Sequence, residues 1–182
     1  MIREPFGTGA GGNQLNIGTP EEAYVSEVVE YGDSTYHKTL LKLQGALPAI
    51  AGGANLAVGR KIYTFPHKNI RILTAAFNNV AITQTDGNID ADTPDVGLGT
   101  TIASGAVATL DGTAAFENIL TGQTFADCDG TAKLAVVAST TTLAKTTAAY
   151  AVHFNAADGW AASGDAGALI SGDVVITWEV IE

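Results

Sequence analysis

The sequence has few of the residues that build cross-linked, metal-binding or catalytic sites. Only one of its 182 residues is cysteine, and three are histidine. A single cysteine, Cys128, cannot form a disulfide within the chain, so the fold does not depend on an oxidising compartment. The histidines His37, His67 and His153 lie far apart and form no His-x-His or His-x-x-x-His pair, so zinc-ligand spacings are missing. We therefore expect structural histidines, no metal site and no cofactor.

Long apolar segments are also missing. The longest uncharged stretch, residues 43–59, is interrupted by Pro48, Gly52 and Gly53. It falls short of the roughly 18 consecutive apolar residues that a membrane helix requires. Residues 1–7 contain no apolar segment of the kind that forms the core of a secretory signal. We expect neither membrane contact nor a signal peptide.

Positive charge is scarce beyond residue 71. Residues 72–182 contain two Lys or Arg against thirteen Asp or Glu, and the whole chain has a formal net charge of −10. Such acidity repels the phosphate backbone of nucleic acids, so we expect no direct nucleic-acid binding. One basic group, comprising Arg60, Lys61, Lys68 and Arg71, stands out. It is typical either of a contact with an acidic partner surface or of an edge strand protected by charge.

Small residues dominate what is present: 30 Ala, 22 Thr and 21 Gly. Large apolar side chains are correspondingly few, which suggests a thin core that gains stability from partner subunits. The C-terminal segment carries the clearest pattern. Val174, Ile176, Trp178 and Val180 fall on one face of an extended chain, and this period of two is typical of a half-buried strand.

The same pattern recurs along the chain and predicts an all-β protein. Residues 23–31 and 36–43 form a predicted hairpin about a turn at 32–34. Further predicted strands cover residues 61–66, 70–73, 77–83, 96–103, 116–120, 134–138, 150–154 and 174–181, with a short helix within 111–120 as an alternative. Short strands between regular turns indicate an antiparallel β-sandwich or barrel. We predict one sandwich domain over residues 21–182, preceded by an extended N-terminal arm over residues 1–20.

The predicted arm combines glycine and proline with isolated large apolar residues. Ile2, Phe6, Leu15 and Ile17 are spaced among five glycines and two prolines. Glycine and proline disfavour regular structure, whereas a purely disordered tail rarely needs large apolar side chains. The segment is therefore either an arm that docks on a neighbouring subunit or a free tail.

An Asp-rich loop over residues 85–95 invites comparison with a calcium site. Asp86, Asn88, Asp90 and Asp92 alternate as the first ligands of an EF-hand do. The sixth position is then Ala91 instead of glycine, and the twelfth is Gly97 instead of glutamate, so the match fails. A solvated turn is the preferred interpretation, with a weak surface cation site as the alternative.

No motif of a known catalytic type is present. The sequence contains no Gly-x-Ser-x-Gly elbow and no phosphate-binding loop that ends in Lys-Ser or Lys-Thr. We expect a protein that is not an enzyme.

Four segments resemble small virion structural proteins of tailed bacteriophages, of the head decoration (cement) type. They are residues 61–66 (KIYTFP), 95–100 (DVGLGT), 152–160 (VHFNAADGW) and 172–180 (GDVVITWEV), and the resemblance covers residues 56–182. It implies a β-sandwich, with a jelly roll as one form, that sits on the capsid exterior as a homotrimer. It further implies that the protein bridges neighbouring subunits of the major capsid protein without any enzymatic activity.

On this interpretation two groups of residues contact the capsid or a neighbouring subunit. Ile2, Phe6, Leu15 and Ile17 anchor the arm, and Arg60, Lys61, Lys68 and Arg71 supply an electrostatic contact. A tail or fibre component of the same virion and a carbohydrate-binding module are the alternatives. The latter would use exposed aromatic side chains, for which Trp160 is the candidate.

Overall fold

A computed structural model describes residues 17–50, 57–103, 107, 109–112, 114–138, 149–158 and 164–181. The predicted anchors Ile2, Phe6 and Leu15, and the loop residue Trp160, lie outside the described residues.

Regular structure in the described part of the chain is nearly all β. The strands are β1 (Thr19–Pro20), β2 (Val25–Gly32), β3 (Tyr36–Leu43), β4 (Ala57–Thr64), β5 (Ile70–Thr83), β6 (Asp95–Gly99), β7 (Leu120–Thr124), β8 (Leu134–Ala138), β9 (Ala151–Ala157) and β10 (Leu169–Val180). One four-residue helix, α1, covers Ala114–Glu117. The all-β prediction is confirmed.

The strands form two five-stranded antiparallel sheets. Sheet A has the order β1-β4-β9-β6-β7, and sheet B has the order β2-β3-β10-β5-β8. Buried side chains of both sheets belong to one hydrophobic core, and the rings of Phe77 in sheet B and Phe154 in sheet A lie 5.9 Å apart. This confirms the antiparallel sandwich, whereas the jelly-roll form and the division at residue 20 stay predictions.

The predicted hairpin of β2 and β3 is confirmed. The two strands pair in register from Val25 with Leu43 to Gly32 with His37. The Asp33 carboxylate accepts hydrogen bonds from the backbone N–H groups of Thr35 and Tyr36, at 2.7 and 2.8 Å. An aspartate that bonds the backbone two and three residues ahead stabilises a tight turn.

Residues 70–83 correct one strand prediction. The segments 70–73 and 77–83 are a single strand of 14 residues, β5. The side-chain alternation changes phase because β5 shifts register against β10 at two places. At one of them Asn79 has a φ of 53°, and a Cβ on the facing Gly172 would lie 2.4 Å from the Asn79 carbonyl oxygen. The strand bends there and does not end.

Residues 116–120 correct a second prediction. The strand expected over that segment is absent, and the alternative of a short helix is confirmed by α1. The buried Glu117 carboxylate accepts hydrogen bonds from the backbone N–H groups of Gly112 and Gly122, at 2.8 and 2.6 Å. These bonds fold the segment back on itself before β7 begins.

Described residues between β6 and β7, among them 101–103, 110 and 115–117, lie against the outer face of sheet A. Three strand residues on that face, Gly59, Gly97 and Gly99, allow the close approach. A Cβ on Gly99 would lie 2.2 Å from the backbone carbon of Phe116. A second hydrophobic cluster, which contains Ala103, Leu110, Ala57 and Ala157, fills this contact. Part of the outer face of sheet A is therefore covered by its own chain.

Asn155, at the centre of that face, holds the covering segment. Its side-chain amide donates hydrogen bonds to the carbonyl oxygens of Thr101 and Phe116, at 3.0 and 2.6 Å. Its side-chain oxygen accepts the backbone N–H of Ala103 at 2.8 Å. Asn155 pairs in register with Gly59 and Gly97, and a Cβ on Gly59 would overlap its side-chain oxygen. The glycines on both sides thus leave the space that this amide occupies.

Replacing Asn155 by alanine should lower the free energy of unfolding by about 3 kcal/mol, because three backbone groups lose their partner, one of them in a buried hydrogen bond and two in half-buried ones. Urea unfolding measures the change. The matched control is Asn78→Ala on the exposed face of β5, which should alter stability by no more than about 0.5 kcal/mol. Equal effects of the two substitutions would contradict the role of Asn155.

Candidate interaction surface

The outer face of sheet B carries a row of apolar side chains across all five strands. Val29 pairs with Leu40, Leu40 with Val175, Val175 with Ala76 and Ala76 with Val137. Directly paired residues share one face of a sheet. Their chain neighbours Val28, Leu41, Val174 and Ala75 are buried in the core. These five residues, called the apolar row below, therefore point outward.

No described segment hydrogen-bonds across this face, in contrast to sheet A. Val137 is 70% exposed, and the other four members of the apolar row are half-buried by their neighbours on the sheet. Tyr31 and Tyr36 are also exposed, at 39% and 55%. A contiguous exposed apolar area on a sheet marks a candidate contact with another molecule.

The charges on this face balance. Its outward-facing charged residues are Lys38, Lys42 and Arg71, with Glu27, Asp173 and Glu179. Lys42 is in register with both Glu27 and Asp173, and Arg71 forms an ion pair with Glu179. Because the chain as a whole has a net charge of −10, a neutral face opposes the approach of a second macromolecule less than the rest of the surface does.

The predicted basic group is divided between different surfaces. Lys61 faces outward from sheet A, and its amine lies 2.6 Å from a carboxylate oxygen of Glu21. Arg71 faces outward from sheet B, where Glu179 pairs with it. Lys68 is exposed in the loop between β4 and β5. The structure does not bring these three cations together.

Arg60 faces the interior side of sheet A. It is in register with the buried Phe154, and its guanidinium carbon lies 5.1 Å from the centre of the Tyr24 ring. This contact is a cation–π interaction at the margin of the sandwich. A role of the basic group in capsid contact stays a prediction.

The last residues of the predicted arm are bound to the sandwich. Ile17 packs against the hydrophobic core, and the N–H of Gly18 donates a hydrogen bond to the Tyr63 hydroxyl at 2.8 Å. Thr19 and Pro20 pair with β4 as strand β1. The expectation that residues 1–20 contain no regular structure is therefore wrong for Thr19 and Pro20.

A buried polar network joins four side chains on the inner face of sheet B. Trp178 donates its indole N–H to the Thr39 hydroxyl at 2.8 Å, and Thr39 donates to Glu30 at 2.6 Å. The other Glu30 oxygen lies 2.9 Å from Nδ1 of His37. The His37 ring stacks on Trp178 with a centroid separation of 3.9 Å. This network fixes the end of the sandwich where β2, β3 and β10 meet.

The network is closed to solvent. The side chains of His37 and Glu30 are only 2% and 1% exposed. A carboxylate–imidazole pair is suited to general acid–base chemistry only where it reaches a substrate. Burial, and secondarily the negative charge of Glu30, raises the pKa of the nearby Tyr63. The arrangement is architectural, as expected of the histidines, and it also excludes Trp178 as a sugar-stacking residue because the indole is fully buried.

The Asp-rich loop is held by Asp165. Its carboxylate accepts hydrogen bonds from the backbone N–H groups of Thr85 and Asp86, at 2.8 and 3.0 Å, and from the Thr85 hydroxyl at 2.8 Å. Ile89, within the loop, is fully buried, so the loop is not a solvated turn along its whole length. Among the described residues, no group of three or more His, Cys, Asp or Glu side chains is placed to hold a metal ion.

Cys128 is fully buried beside this loop. Its backbone N–H donates to the carbonyl oxygen of Asp90 at 2.9 Å. Burial, with nearby carboxylates as a further cause, raises the pKa of the thiol to about 12. The thiol therefore stays protonated near neutral pH and behaves as a small apolar side chain.

Comparison with models of protein families, with curated proteins and with solved structures finds no match to this chain. None of the helices in the described residues has the length and apolar character needed to cross a membrane. The functional assignment therefore rests on the surface of the sandwich and on the resemblance carried by the sequence.

Substitution of Thr39 by valine should lower the free energy of unfolding by at least about 2 kcal/mol, because the buried Trp178 N–H and one Glu30 oxygen lose their partner. Chemical unfolding followed by Trp fluorescence measures the loss. Thr177→Val, on the outward face of β10, is the control and should change stability by no more than about 0.5 kcal/mol. A Thr39→Val protein as stable as this control would contradict the network.

Stability should fall as the pH drops below about 6.5, the ordinary histidine pKa. The pKa values of His67 and His153 are both lowered, and burial is the largest cause for each. Between the lowered pKa of the folded state and the ordinary value, the unfolded chain binds more protons, so acid favours unfolding. Unfolding midpoints across this pH range measure the slope, and the double variant His67→Gln, His153→Gln should reduce it. An unchanged slope would refute the assignment to these two side chains.

Proposed function

We propose that this chain is a non-enzymatic virion structural protein that decorates the capsid exterior of a tailed bacteriophage and bridges neighbouring subunits of the major capsid protein. The observation that carries the proposal is the difference between the two outer faces of the sandwich. Described residues between β6 and β7 cover part of the outer face of sheet A, whereas sheet B presents a neutral face with a continuous apolar row. The resemblance of residues 56–182 to decoration proteins supplies the identity of the partner.

A bridging protein needs a scaffold that does not deform when it is loaded. The antiparallel sandwich supplies this scaffold, because its sheets share one packed core and the polar network ties three strands of sheet B together. Packed interiors have low compressibility and transmit force. The scaffold thus holds the apolar row at a fixed geometry, which lowers the entropic cost of binding.

The outer face of sheet B is smaller than a typical protein interface, so another part of the chain must contribute to the contact with the capsid. Five strands about 4.8 Å apart, each about eight residues long, give a face of roughly 500 Å². A stable protein interface buries about 800 Å² on each partner. We assign the remaining contact to the segment that precedes Ile17, which contains Ile2, Phe6 and Leu15. The homotrimer implied by the resemblance would add a further interface, and it stays a prediction.

Binding to capsid shells that lack this protein tests the proposal. The wild-type chain should sediment with the shells, and Leu40→Glu should weaken binding at least about tenfold, which corresponds to about 1.4 kcal/mol. The control, Thr121→Glu on the exposed edge strand of sheet A, adds the same charge and should bind as the wild type does. Circular dichroism and the unfolding midpoint of each variant establish that it is folded.

Two results would count against the proposal. A wild-type chain that does not bind the shells would reject the function itself. Normal binding of folded Leu40→Glu would reject the outer face of sheet B as the contact.

Deletion of residues 2–16, which spares Ile17 and Gly18 in their packed positions, tests the arm separately and should reduce binding without unfolding the sandwich.

A further inference from the structure

The two sheets have four edges, and three of them carry features that discourage pairing with another strand. Edge strand β1 is two residues long and contains Pro20. Edge strand β2 carries Glu27 at a register shift against β3. Edge strand β7 is polar beyond Leu120 and shifts register against β6. Short length, proline, charge and bulges are the usual means by which an exposed edge avoids pairing.

The fourth edge, β8, differs in composition, although it too is short and β5 shifts register against it between Phe77 and Val80. Its five residues, LAVVA, are uncharged and include no proline or glycine. Val137 is 70% exposed, the largest exposure among the large apolar side chains of the described residues. A flat apolar strand at a sheet edge is a template for pairing with another chain.

Charge is sparse around β8, where the exposed Lys133 directly before the strand is the nearest charged residue in the sequence. The neighbouring strand β5 has no charged residue from Ile72 to Thr83, and β8 pairs with that part of β5. The chain as a whole has a net charge of −10, so two copies repel one another on average. They can approach at this border, where no like charges meet, which favours a second copy of the chain over a charged partner.

We propose that β8 pairs with β8 of a second copy, antiparallel, so that sheet B continues into the sheet B of its neighbour. An isologous contact between identical strands has two-fold symmetry and is therefore antiparallel when the two sheets are continuous. All five residues pair when Val136 faces its own counterpart. Val137 then lies opposite Ala135 of the second copy, and both side chains are on the outer face.

This register extends the apolar row across both copies. The row ends at Val137 in one copy, and Ala135 of the second copy continues it on the same face. Leu134 and Val136 point towards the core, where they pack at its margin. The contact is thus apolar on both faces of the joined sheet, and the central pair, Val136 with Val136, joins two β-branched side chains, which stabilise a sheet by packing across the strands.

The contact is small, because only five residues of each chain pair. It is therefore weak between free molecules and becomes effective where other contacts hold the copies close together. It is separate from the three-fold interface of a decoration-protein trimer and would join subunits of adjacent trimers. It does not depend on the identity of the particle, because both strands belong to this chain.

Disulfide trapping with single cysteine variants tests the pairing and its register. A mixture of Ala135→Cys and Val137→Cys, oxidised together, should form a cross-linked dimer faster than either variant alone, because these positions face each other only across the two copies. Native Cys128 is fully buried. Thr121→Cys, on the edge strand β7, is the control and should cross-link only at the rate of random collision.

The inference is overturned if the mixture cross-links no faster than each variant alone or than the control. A second measurement uses no new cysteine. Val137→Lys should raise the dissociation constant of the dimer at least about tenfold. Analytical ultracentrifugation measures this constant. Thr121→Lys should leave it unchanged, and equal constants for the two variants would also overturn the inference. Neither result bears on capsid binding through Leu40, so the two proposals fail independently.

Discussion

Asn155 is fully buried on the outer side of a sheet, a position at which a sandwich usually meets solvent. Its amide binds both ends of the segment that crosses sheet A, and glycines at positions 59, 97 and 99 let that segment approach the strands. This contact covers the part of sheet A that surrounds the three glycines. No described segment crosses the outer face of sheet B in the same way, and on our proposal the apolar row of that face meets the partner.

The polar side chains in the interior of the sandwich have a structural role. Glu30, His37, Thr39 and Trp178 include groups that take part in catalysis elsewhere, but here each is bonded or stacked beneath the sheets. A buried polar network that is nearly satisfied makes one packing arrangement preferable to its competitors. The network therefore contributes to the uniqueness of the fold, whereas both contacts that we propose lie elsewhere, on the outer face of sheet B and at the β8 edge.

Most of the architecture could be predicted from the sequence, because period-two alternation is a local signal. It identified the hairpin of β2 and β3 and residues 134–138 of β8. It failed at β5, where a register shift that leaves Leu73 unpaired interrupts the alternation, and at α1, where Glu117 bonds to glycines before and after the helix. The role of Asn155 could not be predicted, because it depends on residues about 40 to 50 positions away. The sequence did hint at the apolar row, because Val28–Val29, Leu40–Leu41 and Val174–Val175 are consecutive apolar residues that make both faces of a strand apolar. The continuity of the row could not be predicted, because it depends on the order of the strands in the sheet.

The central claim is that the outer face of sheet B, and not that of sheet A, meets the partner. Lysine labelling measures this directly, since Lys38 and Lys42 lie on the face of sheet B and Lys61 lies on that of sheet A. The rates of acetylation of these amines can be compared by mass spectrometry in the free chain and in the native assembly. We predict that acetylation of Lys38 and Lys42 is slowed in the assembly more than acetylation of Lys61. Protection of Lys61 with unchanged reactivity of Lys38 and Lys42 would contradict the claim.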